Sequence, residues 1–484
     1  MTRTLESLLK GIIGYKGEVS GTMVIATITD DSRRVMAGTL FIAIEGSQKN
    51  GLEFVRQAHQ NGAIAIVSEA IAPEDLRSVW IQVPDARLAR VILAQAFYGN
   101  PFAALKVHGI TGTSGKTTTA YLMDAVLTAM GEKVALLGTI CMRIGSELVP
   151  SQLTTPGIID LYAFAADAVV AGCGHLVMEV SSHALDQGRI AGIAFDSCLF
   201  SNLSRDHLDY HKTFEDYYAA KKMLFTQYCR GISIVNVDDG YGARLAQELE
   251  DLGQNLTRVS RLGQSAEVVP TQLRTGEDGI DFQLDRLSAV PFHSRLCGEF
   301  NADNILLVCG WVLANQYSER SLRAALLDVQ IPGRFEMVYN DGSRRVIVDY
   351  AHKPDALERV LATARSLCKR KLVVVFGCGG DRDQGKRPIM GQIAENVADM
   401  CFVTSDNPRT ENAETILREI VAGMHKNSHA VIADRAQAIQ VACRTLDAGD
   451  WLVVAGKGHE DYQIIGTTKQ PFDDRKVVRE AFGC

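Results

Sequence analysis

The chain has 484 residues, too many for one hydrophobic core, and at roughly 150 residues per domain about three domains are expected. With 46% hydrophobic and 22% charged residues there is little room for extensive disorder, and a net charge of −7 excludes a broad basic field for a nucleic-acid backbone. No apolar run approaches the roughly 20 residues of a membrane span, residues 1–14 lack a signal-peptide core, and the 11 cysteines form no C-x-x-C pair, so a cytoplasmic protein without membrane insertion is expected.

The first hundred residues alternate short apolar runs at 39–44 and 63–67 with a helical stretch at 54–61, and they end at Asn100-Pro101. This pattern predicts a small α/β domain over 1–102. A second domain, 103–331, opens with a strand at 105–111, a glycine-rich loop and an apolar-periodic helix at 116–130 stopped by Gly131. Strand-like runs at 134–137, 175–180, 195–203 and 232–237 are spaced for crossover helices, predicting a doubly wound, P-loop-like fold. Near Ile331-Pro-Gly-Arg334 the pattern restarts. Buried-strand runs at 345–348, 371–376, 401–404 and 451–455 alternate with helical stretches, as in a Rossmann-like domain over 332–484. The expected fold class is therefore α/β in three domains.

Gly112-Thr-Ser-Gly-Lys-Thr-Thr118 has the Gly-Lys-Thr ending of a Walker A loop, but two residues separate Gly112 from Gly115 where the full pattern has four, and five separate Gly115 from Gly109. Its glycines let successive backbone N–H groups face a phosphate, Lys116 supplies a charge, and Thr117 can place a hydroxyl on Mg²⁺. Such a loop predicts nucleotide binding without naming the acceptor of the phosphoryl group. His207 and His211 have i, i+4 spacing, but Leu208 stands where a zinc protease motif needs glutamate, so zinc is the weaker reading. Lys221, in a helical stretch, would not be selected by pattern alone.

Thr154-Thr-Pro156, Met178-Glu-Val-Ser-Ser-His183, Asn202-Leu-Ser-Arg-Asp-His-Leu-Asp209 and Ala220-Lys221 occur in an order that resembles the Mur ligase family. Gly333-Arg334, Asp349-Tyr-Ala-His352, Gly377-Cys-Gly-Gly-Asp-Arg382, Asp406-Asn-Pro-Arg409 and Gly456-Lys-Gly-His-Glu460 resemble its MurE branch, which adds the third residue of the peptidoglycan stem. The resemblance implies that ATP phosphorylates the D-glutamate carboxylate of UDP-N-acetylmuramoyl-L-alanyl-D-glutamate and that an amine of a diamino acid attacks the acyl phosphate. It further implies a UDP-sugar domain, a central ATPase domain, an amino-acid-binding C-terminal domain and a monomer with small-molecule substrates.

By the same resemblance, Gly112, Thr113, Ser114, Gly115, Lys116, Thr117 and Thr118 bind ATP, with Asn304, Arg334 and Asp349 near its base, phosphates and ribose. Lys116, Glu179, His207 and Lys221 are the catalytic set. Thr117, Glu179, His207 and Lys221, the last as a carbamate (N6-carboxylysine), are the implied Mg²⁺ ligands. Ser32, Ser47, Gln48 and Lys49 match positions that hold UDP, while Thr154, Thr155, Ser181, Gln187 and Arg189 match the muramoyl-peptide site. Arg189 suits a carboxylate because its planar fork can clamp two oxygens. Leu153 departs from the asparagine common in relatives and removes one polar contact.

Arg382, Asp406, Asn407, Pro408, Arg409, Gly456 and Glu460 match the amino-acid site. Arg409 and Asp406 can face an extra carboxylate and ammonium, which suits meso-diaminopimelate better than lysine. ATP is expected between the second and third domains, with closure about a hinge near Pro332-Gly333. The alternatives are a lysine-adding MurE, a folylpolyglutamate synthetase-like ligase, and a non-catalytic nucleotide-binding regulator.

Overall fold

The computed structural model describes residues 2–45, 50–149 and 153–483. The chain divides into two compact units, one of residues 1–268 with 307–321 and one of residues 269–306 with 322–484. Among the described residues no helix is long and apolar enough to cross a membrane.

The first unit begins with a short antiparallel pair, β1 (Arg3–Thr4) and β2 (Val24–Ile25). A parallel four-stranded sheet follows in the order β3 (Thr27–Thr29), β4 (Thr39–Ile42), β5 (Ala63–Ser68), β6 (Trp80–Gln82). The larger sheet contains β7 (Lys106–Thr111), β8 (Val134–Leu137), β9 (Met142–Ile144), β10 (Glu147–Val149), β11 (His175–Glu179), β12 (Phe195–Phe200), β13 (Cys229–Asn236) and β14 (Leu256–Val259). Its order is β10-β9-β8-β11-β7-β12-β13-β14, parallel from β8 to β14, with β9 and β10 added antiparallel at the edge. Strands β7 (beyond Lys106) and β11 are buried, and two of their polar residues, His108 and His175, pair with one another at 3.0 Å.

One continuous core, running from Leu5 to Leu249, joins the two sheets. The helices Ala86–Tyr98 and Ile158–Val170 contribute Leu93, Phe97, Leu161 and Phe164 to it. Phe102 meets Tyr162 edge to face at 4.9 Å, and Arg34 donates to Asp160 at 2.6 Å across the same junction.

In the second unit an antiparallel sheet comprises β15 (Thr271–Gly276), β16 (Gly279–Leu284) and β17 (Ser288–Ser294). This sheet was not among the expected elements, although Asp278-Gly279 is a hairpin signal and Ile280, Phe282 and Leu284 alternate toward the interior. The main sheet has β18 (Glu336–Asn340), β19 (Arg345–Asp349), β20 (Leu372–Phe376), β21 (Met400–Val403), β22 (His429–Val431) and β23 (Trp451–Ala455) in the order β18-β19-β23-β20-β21-β22. All but β18 are parallel. Leu372, Val374 and Phe376 enter one core and Val373 and Val375 the other, as the period-2 pleat requires for a sheet covered on both faces. A hairpin of β24 (Tyr462–Ile465) and β25 (Thr468–Pro471) follows.

Helices Arg435–Arg444 and Asp474–Phe482 are tied by a fully buried ion pair in which Arg435 Nε and Nη2 each donate to Asp474 at 2.7 Å. Arg435 also donates to the carbonyls of Ala455 (3.0 Å) and Ser405 (3.4 Å), the ends of the segments leading out of β23 and β21. Arg435→Met leaves Asp474 buried and uncompensated, and chemical denaturation should show a loss of about 3–5 kcal/mol. A loss below about 1 kcal/mol would mean that the pair is replaceable by packing alone.

Candidate functional site

In the first unit, β7, β8, β11 and β12 run parallel, so the segments leaving them emerge at one edge, where open α/β sheets place ligands. The loop after β7 turns sharply at Gly112, with φ of 149°, where a Cβ would lie 1.9 Å from Ser201 Oγ. Gly115, with φ of 87°, is the left-handed N-cap of the helix Lys116–Ala129 and has no side-chain cap. The first turn thus presents backbone N–H groups of the kind that bind anions. Asn202 braces the loop: its Oδ1 accepts the Ser114 N–H at 3.0 Å and its carbonyl accepts the Thr113 N–H at 2.9 Å. Thr118 is buried in the first helical turn with Thr117.

Glu179, 1% exposed at the end of β11, is held by neutral donors. Thr117 Oγ1 donates to its Oε2 at 3.1 Å, Thr139 Oγ1 to the same oxygen at 3.0 Å, and the Thr139 N–H to Oε1 at 2.8 Å. A buried carboxylate beside a hydroxyl offers hard oxygen donors suited to Mg²⁺. Among the described residues no group of three or more His, Cys, Asp or Glu could enclose a metal, so any ion here would take much of its shell from phosphate and water.

Lys116 Nζ donates to the carbonyls of Gly112 (2.8 Å) and Thr113 (3.0 Å). Lys221 Nζ, 1% exposed as a residue, donates to the same Gly112 oxygen at 2.8 Å and lies 4.5 Å from the centre of the Tyr217 ring. Burial, reinforced by the charge of Lys116, holds its pKa well below the usual lysine value. Lys221 is carried by the helix Phe214–Met223, which passes into a π-turn at Leu224–Tyr228.

His207 has a left-handed φ of 53°, uncommon for histidine, and its ring faces Asp206 at 3.5 Å and His183 at 4.8 Å between centroids. Tyr217 links it to the loop, with its ring 6.2 Å from His207 and its hydroxyl 3.1 Å from Thr113 Oγ1. His211 is turned to Ser182 Oγ at 2.9 Å, apart from any zinc-binding pair with His207.

Thr154 Oγ1 lies 3.1 Å from Thr139 Oγ1, and Thr155 Oγ1 donates to the Glu179 carbonyl at 2.9 Å and accepts the Ser181 N–H at 3.2 Å. Arg189 donates to the Thr155 carbonyl at 3.0 Å and twice to Gln187 Oε1, at 3.0 and 2.6 Å. Thr155, Ser181, Gln187 and Arg189 therefore form one connected set tied to the Glu179 backbone through Thr155, and Thr154 reaches Glu179 through Thr139. Leu153 is 50% exposed beside them. Ser32 opens the short 3-10 turn Ser32–Arg34 after Asp31, whereas Ser47, Gln48 and Lys49 lie outside the described residues.

In the second unit the same edge logic gathers Asp349 (β19), Arg382 (after β20), Asp406–Arg409 (after β21) and Gly456–Glu460 (after β23). Asp349 accepts the N–H groups of Phe335 (2.7 Å) and Ala351 (2.8 Å), and burial raises its pKa against the opposing pull of Arg334. Arg334 lies 4.9 Å from the centre of the Tyr350 ring. Gly333, with φ of 65°, packs so closely on His459 that a Cβ would meet its nitrogen at 2.1 Å. Asn304 is buried, with Nδ2 donating to Asn301 at 3.4 Å.

Asp406 and Asn407 are buried, and Pro408 packs with its carbonyl against Gly380, where a Cβ would sit 1.9 Å away. Asn407 Nδ2 donates to Glu460 Oε2 at 3.0 Å, and Arg409 Nη1 to the Gly380 carbonyl at 2.7 Å. Gly456 is required where it stands: its φ is 119° and a Cβ would lie 2.7 Å from Asp406 Oδ2. Arg382 is exposed.

Sequence reasoning missed Thr139, which orients Glu179, and Lys457, buried between Asn407 and Glu460. Gly138-Thr139 directly after a predicted parallel strand was the available signal for the first, and Lys457 sat unassigned within a motif already singled out.

Family models match three stretches in chain order: the Mur ligase family catalytic domain at residues 24–98, the Mur ligase middle domain at 110–312, and the Mur ligase glutamate ligase domain at 333–458. The UDP-N-acetylmuramoyl-L-alanyl-D-glutamate–2,6-diaminopimelate ligase of Geobacter metallireducens is 44% identical over 508 aligned residues, covering 99% of this chain and 98% of that one. The enzyme of the same name from Aquifex aeolicus is 42% identical, covering 94% of this chain and 93% of its own. A solved structure of a ligase of this name matches with a TM-score of 0.71 at 31% identity, covering 100% of this chain and 99% of that one. With three domain models matched in order and relatives aligned from end to end, the chain belongs to the Mur ligase family.

Proposed function

We propose that this protein is an ATP- and Mg²⁺-dependent ligase that joins an amine of meso-2,6-diaminopimelate to the D-glutamate carboxylate of UDP-N-acetylmuramoyl-L-alanyl-D-glutamate. It acts in the cytoplasm, as a monomer, in peptidoglycan precursor synthesis. Residues 1–102 hold the UDP sugar, 103–331 the ATP, and 332–484 the amino acid. Ser32, with Ser47, Gln48 and Lys49, serves the UDP group, while Asn304, Arg334 and Asp349 serve the nucleotide.

The observation that carries this reading is the contact of Thr117 with Glu179 beside a glycine loop on which Lys116 and Lys221 converge. A carboxylate is a poor electrophile until one of its oxygens becomes a phosphate leaving group. The substrate oxygen forms a bond to the γ-phosphorus as the bond to ADP breaks. The amine nitrogen then bonds to the acyl carbon, phosphate departs, and the proton of the amine is lost to solvent. The loop N–H groups and Lys116 neutralise the phosphoryl oxygens during the first transfer. Arg189, beside Thr155 and Ser181, orients the substrate carboxylate.

Thr117, Glu179, His207 and a carbamylated Lys221 are the residues that would hold Mg²⁺, which, when bound, offsets charge between phosphate and carboxylate. The lowered pKa of Lys221 favours the neutral amine, the form that attacks CO₂ with formation of an N–C bond and release of one proton. Carbamylation also gives the Lys221 side chain a negative charge that is attracted to Lys116, where a protonated Lys221 would be repelled.

At the amino-acid end, Asp406 and Glu460 supply negative charge, and Arg409 has its Nη1 turned to Gly380 with the rest of its fork able to meet a carboxylate. Asn407, Pro408, Gly456 and Arg382 complete this site. A second carboxylate on the incoming amino acid is what this arrangement rewards, and it favours diaminopimelate over lysine.

With Mg-ATP and the UDP-muramoyl dipeptide, phosphate release should be at least about a hundredfold faster with meso-diaminopimelate than with L-lysine at equal concentration. Equal or greater release with lysine would refute the specificity, and no release with either would refute the ligase. Thr139→Val removes a hydroxyl that orients Glu179 and should lower kcat about tenfold; a wild-type kcat would show that Glu179 needs no such brace. Protein stripped of CO₂ should regain activity on addition of bicarbonate, and Lys221→Ala should be inactive under both conditions. Full activity of that variant would rule out the carbamate.

A further inference from the structure

Lys457 follows β23 and has no exposed side-chain surface. An ammonium at that depth is costly unless paired and hydrogen-bonded. Its Nζ donates to Asn407 Oδ1 at 3.1 Å and to Glu460 Oε2 at 3.0 Å. Asn407 Nδ2 donates to that same glutamate oxygen at 3.0 Å, and the Ile464 N–H donates to Asn407 Oδ1 at 2.9 Å. The orientation of the Asn407 amide is therefore decided by charge, with oxygen toward the ammonium and nitrogen toward the carboxylate.

Two consequences follow for the ligand. Asn407 Oδ1 already accepts two hydrogen bonds and Glu460 Oε2 already accepts two, so Glu460 Oε1 is the oxygen left to receive a ligand ammonium. Lys457 also offsets most of the charge of Glu460, so a lone cation gains little there. A zwitterionic end gains more, because its ammonium meets Glu460 while its carboxylate meets Arg409. Arg409 is set in register with the same network: its N–H donates to the Ile464 carbonyl at 3.1 Å, and its own carbonyl accepts the Gly466 N–H at 2.7 Å.

We infer that Lys457 is a specificity-determining positioning residue, whose buried ammonium fixes Asn407 and Glu460 so that the site accepts an ammonium–carboxylate pair in preference to an ammonium alone. The inference rests on the functional reading above and concerns a side chain that touches no substrate.

Steady-state kinetics of Lys457→Met, Glu460→Gln and the double variant test it. Lys457→Met should raise KM for diaminopimelate about tenfold or more, leave KM for ATP within about twofold, and narrow the ratio of kcat/KM for diaminopimelate over lysine. Because Lys457 acts through Glu460, the double variant should have the diaminopimelate KM of Glu460→Gln alone. A wild-type KM in a folded Lys457→Met protein would overturn the inference, as would a double variant about tenfold worse than Glu460→Gln. Should Lys457→Met show no cooperative melting, the double variant, which buries no unpaired charge, decides by the same comparison. A wild-type protein that releases phosphate with no amine acceptor would refute the functional reading and the inference with it, whereas an active wild type isolates the inference.

Discussion

The amino groups of Lys116 and Lys221 both donate to the single carbonyl oxygen of Gly112, and the character of the glycine loop depends on that constraint. Two charges on one oxygen would repel, and burial removes most of the solvent that would screen them, so Lys221 is driven toward its neutral form. The arrangement holds because it is built for anions: a left-handed Gly115 opens the helix, Asn202 pins the loop, and the helix N-terminus adds its own partial positive charge. Gly112 must lack a Cβ for Ser201 to pack against the turn. The positive field is set against a buried carboxylate, Glu179, which neutral donors hold in place without neutralising it. A loop that attracts phosphate thus adjoins oxygen donors that attract a hard cation.

The second unit solves a related problem by the opposite means. Its loops also leave the carboxyl ends of parallel strands, but the charges there are paired internally. Lys457 meets Glu460, and Arg435 meets Asp474 behind the roots of the same loops. Such pairing gives modest stability and strong geometric definition. For the proposed amino-acid site, discrimination by one carboxylate would rest on fixed directions of hydrogen bonding more than on a strong net field. Gly456 and Gly380 let the loops approach closely enough for those directions to be held by backbone contact.

Much of this was legible in the chain. Residues 134–137 and 451–455 form strands with the expected bounds, because buried parallel strands are short apolar runs cut off by turn residues. The glycine turn and helix at Gly112–Thr118 were legible for a related reason: glycine spacing and a following helix are local properties. The antiparallel sheet β15–β17 escaped because its outward residues, such as Asp281, interrupt the apolar signal. Lys457 and Thr139 escaped for another reason. Thr139 acts through Glu179, 40 residues away, and Lys457 ties Glu460 to Asn407, 50 residues away, and residue type carries no trace of such long-range pairings. His207 carries a backbone conformation, φ of 53°, that no local pattern announces.

The burial of Lys221 also separates a ligase from a protein that merely binds nucleotide. Nucleotide binding needs the loop amides, Lys116 and a hydroxyl near the metal, all of which Gly112–Thr118 supplies. It gains nothing from a second lysine that is driven toward its neutral form inside the fold and aimed at the carbonyl already occupied by the first. A buried amine whose neutral form is favoured beside such a loop would complement Lys116 once converted to an anion, whereas protonation would set it against Lys116. Such a conversion would supply oxygen donors of the kind a hard cation needs when it offsets the charge between nucleotide phosphate and substrate carboxylate. On the proposed reading, phosphoryl transfer to a carboxylate would account for the cost of burying Lys221, which nucleotide binding alone would not.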